Sequence, residues 1–329
     1  MNRVLTTYVN CSLGGMTSVY RARSLHYPDV HFDYVFEVDR GGLEAYFGLS
    51  NVSTRIVTKS RLTSYLNYAL SSVHYDELRI TSNPLLLNKL EVPDHTNVIY
   101  EFHSPEPAIL SRELATLDMS RVDEVWAPSE WAVDLVRSLL PTRKHATLRS
   151  VPNLVDTRNF QPASGPISTF GKRNGKPVSW IGRLENTQKN YLDFLRILRL
   201  LPAEYYGLVI FSYENSPDRL ERFLGDAAML GVLDRIQIYS NVPQVEIAAI
   251  HRGVREADGV FCSTALSESF GYAVLEAALC GCPVVSYDVG PLAQHEPENI
   301  ELTPVGDLTS TASAIRAMSE KQRNNFWDL

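Results

Sequence analysis

Short runs of β-branched and aromatic residues alternate along the chain with segments whose apolar positions recur every three or four residues. In the first half, residues 4–9, 32–37, 78–81, 98–103 and 125–128 fit strands, and residues 17–25, 62–72 and 108–117 fit helices between them. The alternation stops across residues 160–166, a Phe-Gln-Pro-Ala-Ser-Gly-Pro stretch, and a polar, glycine-bearing run follows at residues 171–177. It then restarts, with strands at 178–181, 207–211, 236–239, 259–263 and 283–287 and helices at 191–200, 218–230, 245–255 and 272–280. Strand and helix in strict alternation is the pattern of parallel sheets covered by crossover helices, so the expected class is α/β. The break predicts two domains, residues 1–162 and 163–329.

Composition leaves that picture intact and narrows the partners. A length of 329 residues exceeds what one hydrophobic core usually organises. The net charge is -7, with 16 basic and 18 acidic residues before position 163, a poor electrostatic footprint for nucleic acid. Arg55, Lys59 and Arg61 precede an apolar-rich segment; they read either as a solvated helix entry or as a weak contact with an anionic membrane or acceptor. Cys11, Cys262, Cys280 and Cys282 are too scattered for a disulfide framework and are expected to be buried thiols. Residues 1–10 lack the long apolar core of a signal peptide, and no apolar stretch reaches the roughly 20 residues of a membrane helix. The expected address is the cytoplasm, with peripheral membrane contact as the variant.

Two phosphate-binding motifs are excluded by spacing. No two glycines stand two apart, which removes the dinucleotide fingerprint, and Pro177 follows Gly175-Lys176 where a P-loop needs Ser or Thr. The chemistry concentrates instead in Ser267-Glu-Ser-Phe-Gly-Tyr-Ala-Val-Leu-Glu276. Gly271 lies at the turn into a helix, whose first backbone N–H groups, from Phe270 to Ala273, favour a phosphate. Helical side chains tilt toward the N-terminus, so Glu276 is expected to lean over the space that Glu268 borders. As an isolated pair, the two glutamates would read first as a loop carboxylate and a solvated helical one; Phe270-Gly271 between them and the small-residue helix ending at Gly281 favour the ligand site. Trp180-Ile-Gly-Arg183 ends a strand at the sheet edge where open α/β sheets bind ligands, and Lys189-Asn190 follows. These are two cations for a diphosphate or two solvated loop residues. No Asp-x-Asp pair occurs, so the expected chemistry needs no metal and no cofactor.

The Glu268 to Glu276 segment, with Phe-Gly inside it, resembles glycosyltransferase family 4. Resembling landmarks run in family order from Gly14 to Val285, including Glu101-Phe-His103-Ser-Pro, Val122 to Glu130 and Val151-Pro-Asn-Leu-Val-Asp156. The resemblance implies a GT-B fold, two Rossmann-like domains facing each other across a cleft. It implies a retaining, metal-independent transferase of carbohydrate biosynthesis that moves a sugar from a nucleoside diphosphate sugar to a hydroxyl. The acceptor would be a glycan, glycolipid or small natural product, bound by the first domain around residues 41–51 and 55–68. Glu268 would contact the donor sugar and Glu276 the ribose. Arg183 and Lys189 would clamp the diphosphate, and Gly15 would offer its N–H to the donor phosphate. His103 would approach the sugar, and the base would rest near residues 239–242, against Val242. Ser269, Phe270, Gly271, Tyr272 and Ala273 complete the expected donor contacts. The chain departs from the family at Leu154, where Gly is usual, and at Phe211-Ser-Tyr213, where a glycine-rich turn is usual. A sugar-nucleotide epimerase of similar fold and a non-catalytic nucleotide-sugar-binding subunit are the competing readings.

Overall fold

The computed structural model describes residues 2–140, 147–162, 168, 173–212, 217–295 and 298–325. It divides into two compact units, Met1–Leu154 and Val155–Leu329. The division falls eight residues before the expected boundary at 162, because Phe160 is fully buried in the second unit's core and Asn159 bonds the Gln244 carbonyl there. The breaker-rich residues 163–167 and 169–172 on which the linker was placed lie outside the described residues.

The first unit runs β1 (Asn2–Ser12), α1 (Gly15–His26), β2 (Val30–Arg40), β3 (Val52–Ile56), α2 (Lys59–Ser72), β4 (Glu77–Thr81), α3 (Pro84–Leu87), β5 (Asn97–Glu101), α4 (Pro107–Thr116), β6 (Glu124–Ala127), α5 (Glu130–Leu139) and β7 (Leu148–Ser150). Every strand pair is parallel, in the order β3-β2-β1-β4-β5-β6-β7. Successive strand residues face opposite sides, so β2 sends Phe32, Tyr34 and Phe36 to one face. There Tyr20 of α1 stacks on Tyr34 with ring centroids 5.0 Å apart. Val35 points the other way, into a cluster with Leu66 and Leu70 of α2, Leu110 of α4 and Val133 of α5. Ser129 caps α5 by accepting from the Ala132 N–H, a contribution of about 1 kcal/mol. Arg55, Lys59 and Arg61 are exposed, Arg55 near the end of an edge strand and the other two in the first turn of α2.

The second unit repeats the wiring with β8 (Lys176–Ile181), α6 (Tyr191–Leu200), β9 (Tyr205–Phe211), α7 (Pro217–Met229), β10 (Ile236–Ser240), α8 (Gln244–Glu256), β11 (Val260–Ser263), α9 (Tyr272–Leu279), β12 (Val284–Tyr287), β13 (Ile300–Thr303) and α10 (Leu308–Asn325). Its six strands, again all parallel, follow the order β10-β9-β8-β11-β12-β13. The central strands are buried on both faces, and for that reason read as continuous apolar runs. One face packs α6, α7 and α10, the other α8 and α9. All four cysteines are free and buried, as expected, and burial pushes the thiols of Cys11 and Cys262 up to about 12.

Candidate functional site

In both sheets the strand order reverses beside the first strand, between β1 and β4 and between β8 and β11. Loops leaving the carboxyl ends of such strands diverge and open a crevice, where ligands of doubly wound folds bind. In the second unit, these loops carry Gly182-Arg183 after β8 and Thr264 to Phe270 after β11.

The structure joins three of the expected residues at that point. Lys189 Nζ donates to Glu268 Oε1 at 2.5 Å, both side chains being partly shielded from solvent. Arg183 is exposed and donates to Gln188 Oε1, while Gln188 Nε2 donates to the Ser267 carbonyl. The Gln188 carbonyl also accepts from the Leu266 N–H, so one residue stitches the cationic loop to the Glu268 loop. A Cβ on Gly182 would meet the Trp180 ring at 2.8 Å and the Lys189 stem at 3.0 Å. Glycine is needed there for close approach, so that Lys189 can lie across the strand end.

Further groups hold the Lys189-Asn190 corner. Asn190 adopts φ +52° and starts α6, with its amide on Asp193 Oδ2, an oxygen that also accepts from Tyr287 OH. Thr264 Oγ1 donates to the Asn190 carbonyl and receives Trp180 Nε1–H. Glu185 accepts from the N–H groups of Thr187, Gln188 and Lys189 and from the Thr187 hydroxyl. Partial burial alone would raise its pKa, but these donors outweigh that and hold it below the ordinary value.

The helix tip expected at Gly271 is present. Gly271 has φ +88°, precedes α9 and brings no side chain to cap it. A Cβ there would lie 2.3 Å from Leu292 Cδ2. Phe270 is buried, Ser269, Tyr272 and Ala273 are partly buried, and His295 Nε2 donates to the Phe270 carbonyl at 2.7 Å. At Gly290, φ +56°, a Cβ would meet the Glu268 carbonyl at 2.0 Å, so the loop after β12 rests directly on the Glu268 loop.

Glu276 is buried on α9, not solvated, and its Oε1 lies 3.5 Å from Gln244 Nε2 at the start of α8. Val242, two residues earlier, packs on the same cluster as Ala273 and Val274. Glu276 and Val242, expected to meet ribose and base, thus lie near each other, on α9 and just ahead of α8.

Gly15 and His103 belong to the first unit. Gly15 opens α1 after Gly14, and neither glycine takes a positive φ. A Cβ on Gly14 would touch only Ser12 Oγ, at 3.4 Å. His103 follows β5 by two residues and its Nε2 lies 2.8 Å from Glu101 Oε2. Glu101 is fully buried and also takes Arg23 Nη1 at 2.7 and 3.0 Å. Burial would raise the Glu101 pKa, but Arg23 and the His103 hydrogen bond overcome it and hold the carboxyl well below the usual range. Sequence reasoning missed Arg23, Glu101, Glu185, Gln188, Gln244 and His295. Only Glu101 had a readable signal, since the expected strand at 98–103 would have put it on the same face as His103.

Residues 175–321 match the family described as Glycosyl transferases group 1. Among curated relatives, the chain is 29% identical over 174 residues to a phosphatidyl-myo-inositol mannosyltransferase of Mycolicibacterium smegmatis, covering 52% of this chain and 42% of that protein. It is 27% identical over 202 residues to a 2-deoxystreptamine N-acetyl-D-glucosaminyltransferase of Streptomyces fradiae, covering 58% and 46%. The matched stretch spans less than half the length of each relative. Among solved structures, Anabaena Alr3699/HepE, in complex with UDP and glucose, superposes with TM-score 0.77 at 15% identity, over 98% of this chain and 91% of that one. The fold is GT-B, two parallel-sheet α/β units of seven and six strands.

Proposed function

We propose that this chain is a retaining glycosyltransferase that takes its sugar from a nucleoside diphosphate sugar bound by the second unit and needs no metal. The observation that carries the reading is the Lys189–Glu268 pair beside the uncapped tip of α9, with Arg183 tethered to the same loop through Gln188. Two cations and a helix N-terminus supply the positive charge that a departing diphosphate requires, in a place where transferases of other kinds use a bound divalent ion. On donor arrival Lys189 exchanges the Glu268 carboxylate for phosphate oxygens, and Glu268 is released toward sugar hydroxyls. Arg183, exposed and bonded only to a neutral amide in the contacts described above, offers a planar fork to the diphosphate. Retention then follows if the acceptor hydroxyl attacks from the face the diphosphate leaves, with no enzyme nucleophile. Gly15 and His103 belong to the first unit, to which acceptor binding falls in this reading.

The group 1 match over the second unit and the transferase relatives support this reading, and the UDP-bound neighbour favours a uridine diphosphate sugar. The test is thermal-shift screening of uridine, guanosine and adenosine diphosphate sugars, followed by nucleoside diphosphate release from the stabilising donor. One donor at 100 times its Kd should raise stability by about 2.7 kcal/mol. Arg183→Ala and Lys189→Ala should each lower turnover by about two to three orders of magnitude. Near-normal turnover in both variants, in protein that folds, removes the charge-clamp mechanism.

A further inference from the structure

Beneath His103 lies a chain of charge that no part of the sugar-binding reading requires. Arg23, on α1, is buried and gives Nη1 to both oxygens of Glu101, which is buried completely at the end of β5. An arginine can only donate, and it keeps its proton at any ordinary pH. The Glu101 carboxylate is therefore ionised and can only accept. Its Oε2 faces His103 Nε2 at 2.8 Å, so that ring nitrogen must carry the hydrogen. Neutral imidazole has one hydrogen. Once it is fixed on Nε2, Nδ1 is left as a lone pair.

We infer that Glu101 and Arg23 are positioning residues that lock the His103 ring with its hydrogen on Nε2, presenting Nδ1 as an acceptor to a ligand hydroxyl. The lock itself rests only on this geometry; its service to a ligand rests on the function proposed above. A bare Nδ1 takes a hydrogen from a hydroxyl or N–H and is repelled by phosphate or carbonyl oxygen, so a ligand meets the ring in this form through a hydrogen-bond donor. The buried carboxylate also restrains the ring, since turning the imidazole away would cost Glu101 Oε2 one of its hydrogen bonds and leave it with Arg23 alone.

Replacing the carboxylate by its amide gives a directional test. In Glu101→Gln, Arg23 still donates and so claims the only acceptor, Oε1, which turns the amide NH2 toward His103. Nε2 must then accept, and the hydrogen moves to Nδ1. We would label histidine with 15N in the full chain and record long-range proton–nitrogen spectra along a rising pH series until the rings are neutral, assigning His103 by its loss in His103→Gln. The expected wild-type pattern is hydrogen on Nε2, and the expected Glu101→Gln pattern is the reverse. A wild-type ring with its hydrogen on Nδ1, or averaging between the two forms, overturns the lock, and this reading stands even if the amide variant does not fold. In activity, Glu101→Gln and His103→Gln should each cost roughly tenfold, and the double variant no more than either. The expected spectrum together with a fully active His103→Gln would overturn the ligand role and place the fault in the functional reading, since the lock would still be seen.

Discussion

The Nζ of Lys189 can serve the Glu268 carboxylate or an incoming phosphate, and exchanging one anion for the other keeps the ammonium paired throughout. Glu276 differs, because it is already buried and close to Gln244. Under the proposed function, its contribution to a bound ribose would be a hydrogen bond to a charged acceptor, worth about 1.5 to 3 kcal/mol. Glu276→Ala should accordingly raise the donor KM by one to two orders of magnitude with little change in kcat, measured by steady-state kinetics at fixed acceptor. His251 is a different kind of buried polar group: it packs edge-on against Phe261, and among the described residues neither ring nitrogen finds a hydrogen-bond partner. Burial, aided by the charge of Arg252, pushes its pKa down to about 3 from 6.5. Below pH 6.5 the unfolded chain binds a proton at this position that the folded chain refuses, so stability falls as pH drops toward 3. The slope from this residue is about 1.4 kcal/mol per pH unit. Denaturant unfolding of His251→Leu across that range should show a shallower acid loss, and equal or greater stability near pH 7.

Loops set the site at the element scale, and each is held from beneath by another. The turn after β12 supports the Glu268 loop through Gly290, where any side chain would strike the Glu268 carbonyl and the backbone would be strained at φ +56°. Gly290→Ala should therefore weaken donor binding at least tenfold while leaving far-ultraviolet circular dichroism unchanged, with calorimetric donor titration as the check. Unaltered affinity would show that the loop shifts freely. This support was not legible in the sequence, because Gly290 and Glu268 meet only through the fold. What could be read were the strands whose burial on both faces makes them apolar, such as Leu208 to Phe211, and the helix tip marked by Phe270-Gly271. The strands that escaped reading, β3, β7 and β13, all stand at sheet edges. There Val52-Ser-Thr-Arg-Ile, Leu148-Arg-Ser and Ile300-Glu-Leu-Thr are half solvated and mix polar with apolar residues. That Lys189 and Glu268 serve one donor was implied by the resemblance alone, and neither their ion pair nor its bridge through Gln188 had a local signature.

Two units whose first six strands share one order divide the chain as a whole, each with its own core. Under the proposed function a nucleoside diphosphate without sugar engages the second unit's switch point. Hydrogen exchange in saturating UDP should slow in residues 182–190 and 266–276, while strands β1 to β5 keep their rates; protection confined to the first unit would contradict the donor assignment. The contiguity of the division has a consequence for how the protein is made. Every strand of the first sheet is encoded before residue 155, so that sheet needs nothing downstream to complete its hydrogen bonds. In both sheets the first strand waits longest for its second neighbour, β1 for β4 about seventy residues later and β8 for β11 about eighty. Parallel partners this distant in sequence assemble slowly. On the ribosome, the half-made second unit would hold an unpaired apolar strand in the open for several seconds at ordinary elongation rates of roughly 5 to 20 residues per second, the interval in which a chaperone is most useful to it.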